Sequence, residues 1–478
     1  MAALMADVMA DVEADVLVAG GGLAGLAAAA LLALHGTRVV VAERRPTTSL
    51  HPKARLVNVR SMEIYRALGV ERDVLEAGEP NAGFVVADTL AGEHATWVAP
   101  PPEETSAADD VSPCRPYSCD QQRIEPILLR RAAELGADLR LATAVEGLVV
   151  GGDGVSARLC GKGGAATVRA RYAIAADGAR SALRRQLGIG MHGEPVAGTA
   201  VSALFRADLG RALRGRHVDA ILCRSAEAFL FARGSPADRT WQLGTHLRPG
   251  WDGAALPGHL RDVVRAATGL PDLRPAIESV QTWTTGAWVA DRFRHGRLFL
   301  IGDAAHVMPP YGGFGGNTGV ADAHNLAWKL AAACRGAEPA GLLDTYQSER
   351  LPIAELTVAQ ALLRSRKTPG RPAPPDQVDA TALVLGFRYP PAAGAPVEDP
   401  AAPSGEPGTR APHVGLTDGR SLLDLFDPTA HTLVADGEVS RADVLPGHRA
   451  RWDAVYAGRR VLVRPDGVIA SVSSPGSG

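Results

Sequence analysis

The stretch from Asp15 to Glu43 restricts the architecture more than any other part of this 478-residue chain. A short apolar run, Asp15-Val16-Leu17-Val18-Ala19, leads into Gly20-Gly21-Gly22-Leu23-Ala24-Gly25. An Ala/Leu-rich helical segment runs to about His35, Gly36 stops it, and a second apolar run from Arg38 to Ala42 ends at Glu43. Strand, glycine turn, helix and strand in this order form a βαβ unit. Its strands pair in parallel through a helical crossover, which places it in an α/β sheet. Gly20, Gly22 and Gly25 fit G-x-G-x-x-G, with Leu23 and Ala24 between the last two. The glycines allow a tight turn, close approach of a pyrophosphate to the backbone, and close packing of helix on strand. Glu43 stands where a carboxylate would accept hydrogen bonds from a ribose. The unit therefore predicts a dinucleotide site, without separating NAD from FAD.

Two later strand ends narrow the choice. The apolar run from Arg171 to Ala176 finishes in Asp177-Gly178-Ala179-Arg180-Ser181. The run Leu298-Phe299-Leu300-Ile301 finishes in Gly302-Asp303. A Pro309-Pro310-Tyr311-Gly312-Gly313 loop follows, then Gly315-Gly316-Asn317-Thr318. Asn317 or Thr318 is placed to cap a helix on which Val320, Ala323, Ala327, Leu330 and Cys334 recur at helical spacing. Taken singly, Asp177-Gly178 is an ordinary turn and the later stretch an ordinary strand-to-helix connection. Taken together, three strand ends face the crevice where an open α/β sheet binds its ligand. A ligand touching all three must be longer than adenosine, and FAD fits.

In this order the motifs resemble the single-component FAD-dependent aromatic hydroxylases, the group A flavoprotein monooxygenases typified by para-hydroxybenzoate and phenol hydroxylases. The likeness spans about residues 14 to 365 and includes HPKARLVNVRSMEIYRALGV from His51 and Asp120-Gln121-Gln122-Arg123-Ile124-Glu125-Pro126. It implies that Glu43, Arg44, Asp177 and Gly178 border the cofactor. Lys53 would stand in for a basic residue, often arginine in the family, on the FAD pyrophosphate or the nicotinamide nucleotide. Gln121 would bond the ribityl region and Asp303 the ribityl or pyrophosphate. The backbone of Gly315, Gly316 and Asn317, at a helix start, suits the anionic edge of reduced flavin. Pro309, Pro310, Tyr311 and Gly312 would form the loop at the reacting ring, with Tyr311 either touching substrate or packing the loop. Gly312 and Gly313 would keep bulk off the flavin. Arg55 and Arg60 read equally well as a solvated basic face, His306 as a proton relay or a satisfied buried histidine, and His324 and Trp328 as packing residues.

The resemblance also implies the chemistry. NAD(P)H reduces FAD, O2 gives a flavin C4a-hydroperoxide, and its outer oxygen attacks an electron-rich aromatic carbon. With no second G-x-G-x-x-G, NADPH (or NADH) would dock transiently near Arg180. The fold expected is α/β: a Rossmann-like FAD-binding domain (14–75, 112–189, 286–366), an inserted sheet-rich substrate domain (76–111, 190–285), and a thioredoxin-like tail (411–478). Val149 to Val155 reads as a hairpin, residues 1–13 as a disordered extension, and 367–410 as a linker region. No cysteine follows Cys334, so the tail cannot perform dithiol chemistry and reads as structural or as an oligomer contact, which leaves a homodimer open.

A net charge of −2 argues against nucleic acid, no apolar run approaches a membrane span, and five scattered cysteines lack metal-ligand spacing. Together they read as a cytoplasmic protein with reduced thiols. The GGFGGNTGVADAHNLAWKL wording and the tail look most like tetracenomycin, anthracycline and angucycline hydroxylases. That implies hydroxylation of a polycyclic aromatic polyketide in antibiotic biosynthesis. The alternatives are a catabolic or antibiotic-inactivating phenol-type hydroxylase, a flavin reductase or dehydrogenase without oxygen insertion, and a non-catalytic binder. The W-x-W-x-I-P segment of flavin halogenases is missing.

Overall fold

The computed structural model describes residues 11–51, 53–99, 110–233, 240–251, 253–337, 339–366, 373–390, 397–435 and 439–474. Its first sheet is built on strand β1 (Val12–Ala19), helix α1 (Leu23–Leu34) and strand β2 (Val39–Ala42). To these are added α2 (Gln121–Glu134), β3 (Asp138–Arg140), β4 (Gly164–Ala175) and β5 (Leu298–Leu300). The parallel order is β3-β2-β1-β4-β5, the Rossmann-like arrangement expected. The strands read as continuous Val/Ile/Leu/Ala runs because parallel sheets are buried on both faces. Helix α1 is buried nearly all round, which explains a sequence of only Ala, Leu and Gly. It packs against α2 and against the long helix α3 (Phe314–Cys334), beside which lies α4 (Asp344–Ser365). Strands Thr143–Val150 and Val155–Gly161 form the expected hairpin, closed by Gly151 N–H to Gly154 C=O at 2.8 Å.

A second eight-stranded sheet stands beside the first. Met191–Arg206, Ala220–Cys223, Ala228–Arg233, Thr240–His246 and Ala276–Ala290 supply most of it, and Phe84–Ala87 joins as a parallel partner of Ala220–Cys223. Alternation divides its faces. Val201, Ala203, Phe205, Ile221, Leu230 and Leu243 bury against Leu260 and Val264 of the helix Leu256–Thr268. The other face carries Ser202 and Ser279, which meet His51, and Phe229, which meets Tyr311. The bridge between the two sheets is short: Trp288 and Val289 pair with Val307 and His306, just beyond Gly302-Asp303.

The tail forms three antiparallel strands (Thr432–Val434, Arg460–Val463, Ile469–Ser473) with a helix, Arg449–Val455, over a small core holding Trp452 and Tyr456. Buried ion pairs dock it. Arg410 Nε meets Glu63 at 3.0 Å, and Arg464 Nη1 meets Glu349 at 2.8 Å. Glu349 also takes Lys329 Nζ at 2.7 Å. Charges this deep persist only when paired, so the tail cannot leave without stranding them.

Two boundaries differ from expectation. Val12 and Glu13 already pair with Val168 and Arg169, because β4 extends far enough to receive them; residues 1–10 lie outside the described residues. The linker reading fails where it can be checked: Leu383, Leu385, Phe387, Tyr389, Thr409 and Arg410 are buried. The apolar run Ala382–Leu385 forms a short helix, Ala380–Leu385, that flanking Pro-rich stretches obscured; 367–372 and 391–396 lie outside the described residues.

Candidate active site

The three strand ends meet. Gly20 has φ +114, and a Cβ there would collide with the Ala176 carbonyl, so the first turn lies directly against the Asp177 segment. Arg184 ties that segment to the third strand end, donating to Ala304 C=O at 2.9 Å and Ala179 C=O at 3.2 Å. Ala24 packs on Gly302 and Gly319, and Leu23 on Gly316. Gly25 sits so close to the Gly20 carbonyl that any side chain would collide with it. Gly22 is different: an added Cβ would meet nothing within 4 Å. Gly20 and Gly25 close the turn, and this one opens on a space.

Two helix starts point into that space. Helix α1 begins after Gly22 and α3 after Gly313, neither has a side-chain cap, and neither carries an acid in its first turn. Their N–H groups and dipoles are left for a ligand that is anionic or rich in acceptors. Glu43, at the end of β2, accepts Gly21 N–H at 2.7 Å, Arg45 N–H at 2.8 Å and Arg45 Nε at 3.0 Å. Burial opposes its charge, but the Arg45 contacts and the Gly21 N–H outweigh this and hold the carboxyl below the ordinary glutamate range. Arg44 beside it is exposed. Asp177 Oδ2 accepts Ala182 N–H at 2.8 Å and Leu183 N–H at 3.2 Å, while its buried Oδ1 has no partner among the described residues. Gly178 follows with φ +86 and open surroundings.

Asp303 is reachable by water yet surrounded by protein, as a group on the floor of a deep cleft would be. That enclosure raises its carboxyl pKa, against the pull of His306 and Lys53. Lys53 is exposed at the cleft edge. Gln121 opens α2, with its Nε2 committed to Glu125 at 2.7 Å. Glu125, fully buried, also takes Ser49 N–H at 2.7 Å. Asn317 does not cap α3, and neither does Thr318, because the left-handed Gly313 starts the helix one turn earlier. The Asn317 amide instead ties down the His51 segment, accepting Asn58 N–H at 3.0 Å and donating to Leu56 C=O at 2.9 Å. Gly315 and Gly316 supply first-turn N–H groups at the same helix start.

The proline loop faces the second sheet. Pro309 is buried and Pro310 exposed, and the Pro310 carbonyl accepts Gly313 N–H at 3.2 Å. The positions of Gly312 and Gly313 follow from the turn: side chains there would strike Phe314 and Leu56. Tyr311 packs edge-on against Phe229, 6.1 Å between ring centroids, and burial raises its hydroxyl pKa. Phe229 stacks between Phe84 at 6.0 Å and Phe231 at 5.9 Å. Trp283, 42% exposed, stands on the same face by alternation with Ser279. This side of the cleft is an aromatic wall.

Sequence reasoning missed the polar groups that join wall and cleft. His51 hydrogen-bonds Ser279 Oγ and Ser202 Oγ, both at 3.0 Å. Ser202 also takes Gln242 Nε2, and Gln242 takes Arg233. Arg233 pairs with Asp120, which pairs with Arg55 at 3.2 Å; Arg55 also meets Asp219 at 3.2 Å and Glu79. Arg55 is therefore an interior ion-pair hub. Arg60, bonded to Glu63 at 3.0 Å and to Asp466 C=O at 2.6 Å, is likewise interior, so neither belongs to a solvated face. The one available signal was Asp120 standing beside Gln121 in a motif already singled out. His324 and Trp328 do pack, the latter edge-on to His431 at 5.5 Å.

The cleft fits FAD by its own features: a cradle at Gly22 that a side chain would enter, two uncapped helix starts, an orphaned Asp177 oxygen and an aromatic wall. Among the described residues no group of His, Cys, Asp or Glu is arranged to hold a metal, and no helix is long and apolar enough to cross a membrane. A family profile described as FAD binding domain matches residues 13–361. The chain is 40% identical over 448 residues to 4-methyl-5-nitrocatechol 5-monooxygenase of a Burkholderia species, covering 86% of this chain and 80% of that one. It is 38% identical over 441 residues to aklavinone 12-hydroxylase of Streptomyces peucetius, covering 86% and 89%. The solved structure of aklavinone-11 hydroxylase with FAD and aklavinone superposes with a TM-score of 0.88 at 33% identity, covering 97% of this chain and 96% of that one. The cleft geometry and these likenesses lead to one assignment: the chain belongs to the FAD-binding-domain family and is an FAD-dependent aromatic monooxygenase.

Proposed function

We propose that the enzyme hydroxylates a planar, fused-ring aromatic polyketide in antibiotic biosynthesis, consuming NAD(P)H and O2. The observation that carries this reading is the aromatic wall of Phe84, Phe229 and Phe231, extended by Tyr311 packed edge-on against Phe229. Stacked rings of this extent suit a flat polycycle better than a single phenol. Support also comes from the aklavinone hydroxylases among the relatives.

Bound and reduced, FAD supplies with O2 the electrophilic oxygen that the aromatic carbon accepts. The chain supplies position and electrostatics. Gly22 would leave room for the pyrophosphate, Glu43 at the Gly21 turn would serve the ribose, and Asp303 would hold the ribityl chain. The Gly315 and Gly316 N–H groups and the α3 dipole stabilise negative charge on the flavin. The wall and Tyr311 hold the substrate ring and keep water from it. Exposed Arg180 and Lys53 lie where a nicotinamide nucleotide would dock transiently. The five cysteines are free, in keeping with a cytoplasmic enzyme. The tail we take to be thioredoxin-like in build, structural in role, and available to a homodimer.

The test is product mass spectrometry with NADPH and ¹⁸O2 on a panel of fused-ring quinones and simple phenols. One labelled oxygen in a fused-ring product is expected. The Burkholderia relative favours a second reading, a catabolic hydroxylase of a single-ring phenol. Labelled products from catechols alone would establish that reading, and NADPH turnover with no label in any product would make the enzyme a reductase.

A further inference from the structure

Behind the Gly302-Asp303 strand end lies a buried polar chain that the contacts above do not use. Asp322, in the third turn of α3, accepts Gly302 N–H at 3.1 Å, His306 Nε2 at 2.6 Å and Arg350 Nε at 2.8 Å. Arg350, on α4, donates through Nη1 to the Tyr389 hydroxyl at 2.7 Å. All four side chains are buried, Asp322 completely. Tyr389 belongs to the C-terminal segment, where it packs with Ile353, Phe387 and Val468.

A charged chain is not needed to pack two helices; apolar side chains of the same volume do so at least as well. What the carboxylate adds is direction. It holds the amide of Gly302, and the peptide that follows sets where Asp303 is presented. His306 depends on the same carboxylate: among the described residues its buried Nδ1 has no partner, and its ring is held by hydrogen bonding to Asp322.

We propose that Asp322 is a positioning residue for the cofactor cleft, and that Arg350 and Tyr389 make its orientation depend on the C-terminal segment. The inference rests on Asp303 being a cofactor contact.

The experiment measures FAD dissociation constant and the visible circular dichroism of bound flavin for wild type, Asp303→Ala, Asp322→Asn and Tyr389→Phe, with far-ultraviolet spectra to confirm folding. Asp322→Asn should weaken FAD about tenfold and change the flavin bands. Tyr389→Phe keeps the ring and removes only the hydroxyl; it should weaken FAD about threefold, with a smaller change of the same sign. If Asp322→Asn does not fold, Tyr389→Phe decides alone. Wild-type affinity and an unchanged spectrum in the folded variants, with Asp303→Ala impaired, would overturn this inference and leave the cofactor reading standing. Wild type that takes no FAD, or Asp303→Ala that binds it normally, would instead remove the premise.

Discussion

The two sides of the cleft are made of different material. On the cofactor side the working groups are backbone: N–H groups at the starts of α1 and α3, and glycines pressed against the Ala176 and Gly20 carbonyls. On the substrate side they are side chains, Phe84, Phe229, Phe231 and Trp283, projecting from alternate positions of a sheet whose opposite face carries its own core. Backbone geometry depends on a few residues that cannot change. A wall of side chains can be rebuilt while the sheet beneath it stays folded. This explains how relatives named for a nitrocatechol and for aklavinone share one frame with this chain.

That contrast can be broken by experiment. The largest effect should come from Gly25→Ala, whose methyl would collide with backbone. Roughly 3 kcal/mol of strain, about a hundredfold in affinity, should leave the purified protein colourless; a yellow variant of normal thermal stability would refute the backbone account. Gly22→Ala is the matched control, because its methyl enters open space. Its melting temperature should stay near wild type while FAD binding weakens about tenfold, read by flavin fluorescence titration. Phe229→Ala should do the reverse, leaving FAD affinity intact and raising KM for the aromatic substrate about tenfold. A variant that lost flavin as readily as substrate would show that the wall is not separable.

The smallest effect should be a pH dependence at the seam. Burial, with Arg233 and Lys53, lowers the pKa of His51 below 6.5. The unfolded chain then takes up a proton before the folded one does. Stability contributed by neutral His51 is complete above about pH 6.5 and is lost as pH falls toward the lowered native value. Thermal midpoints across this range should fall less steeply for His51→Gln than for wild type, and parallel curves would exclude the His51 contribution.

The same contrast governs what could be read in advance. Gly20 to Glu43 and Gly302-Asp303 were legible because glycine spacing and strand ends are local signals, and local geometry is what the cofactor side uses. The wall was not: Phe229 and Phe231 announce a strand, but which face meets a ligand depends on pairing with distant strands. Arg55 looked solvated because no acid lies near it in sequence, whereas Asp120 and Asp219 reach it from 65 and 164 residues away. The start of α3 was misplaced because Gly313 can adopt the left-handed conformation that begins a helix without a side-chain cap. That released Asn317 to clamp Leu56 and Asn58.

The Arg55–Asp120–Arg233 hub has a practical consequence for redesign. Arg233 lies on the exchangeable sheet and Asp120 on the nucleotide frame, both nine-tenths or more buried. A chimera that imports residues 190–285 from a relative must import a cation at this position, or replace Asp120 as well. Otherwise the graft would leave the entombed Asp120 carboxylate to Arg55 alone, a guanidinium already shared with Glu79, and the suture should lose stability.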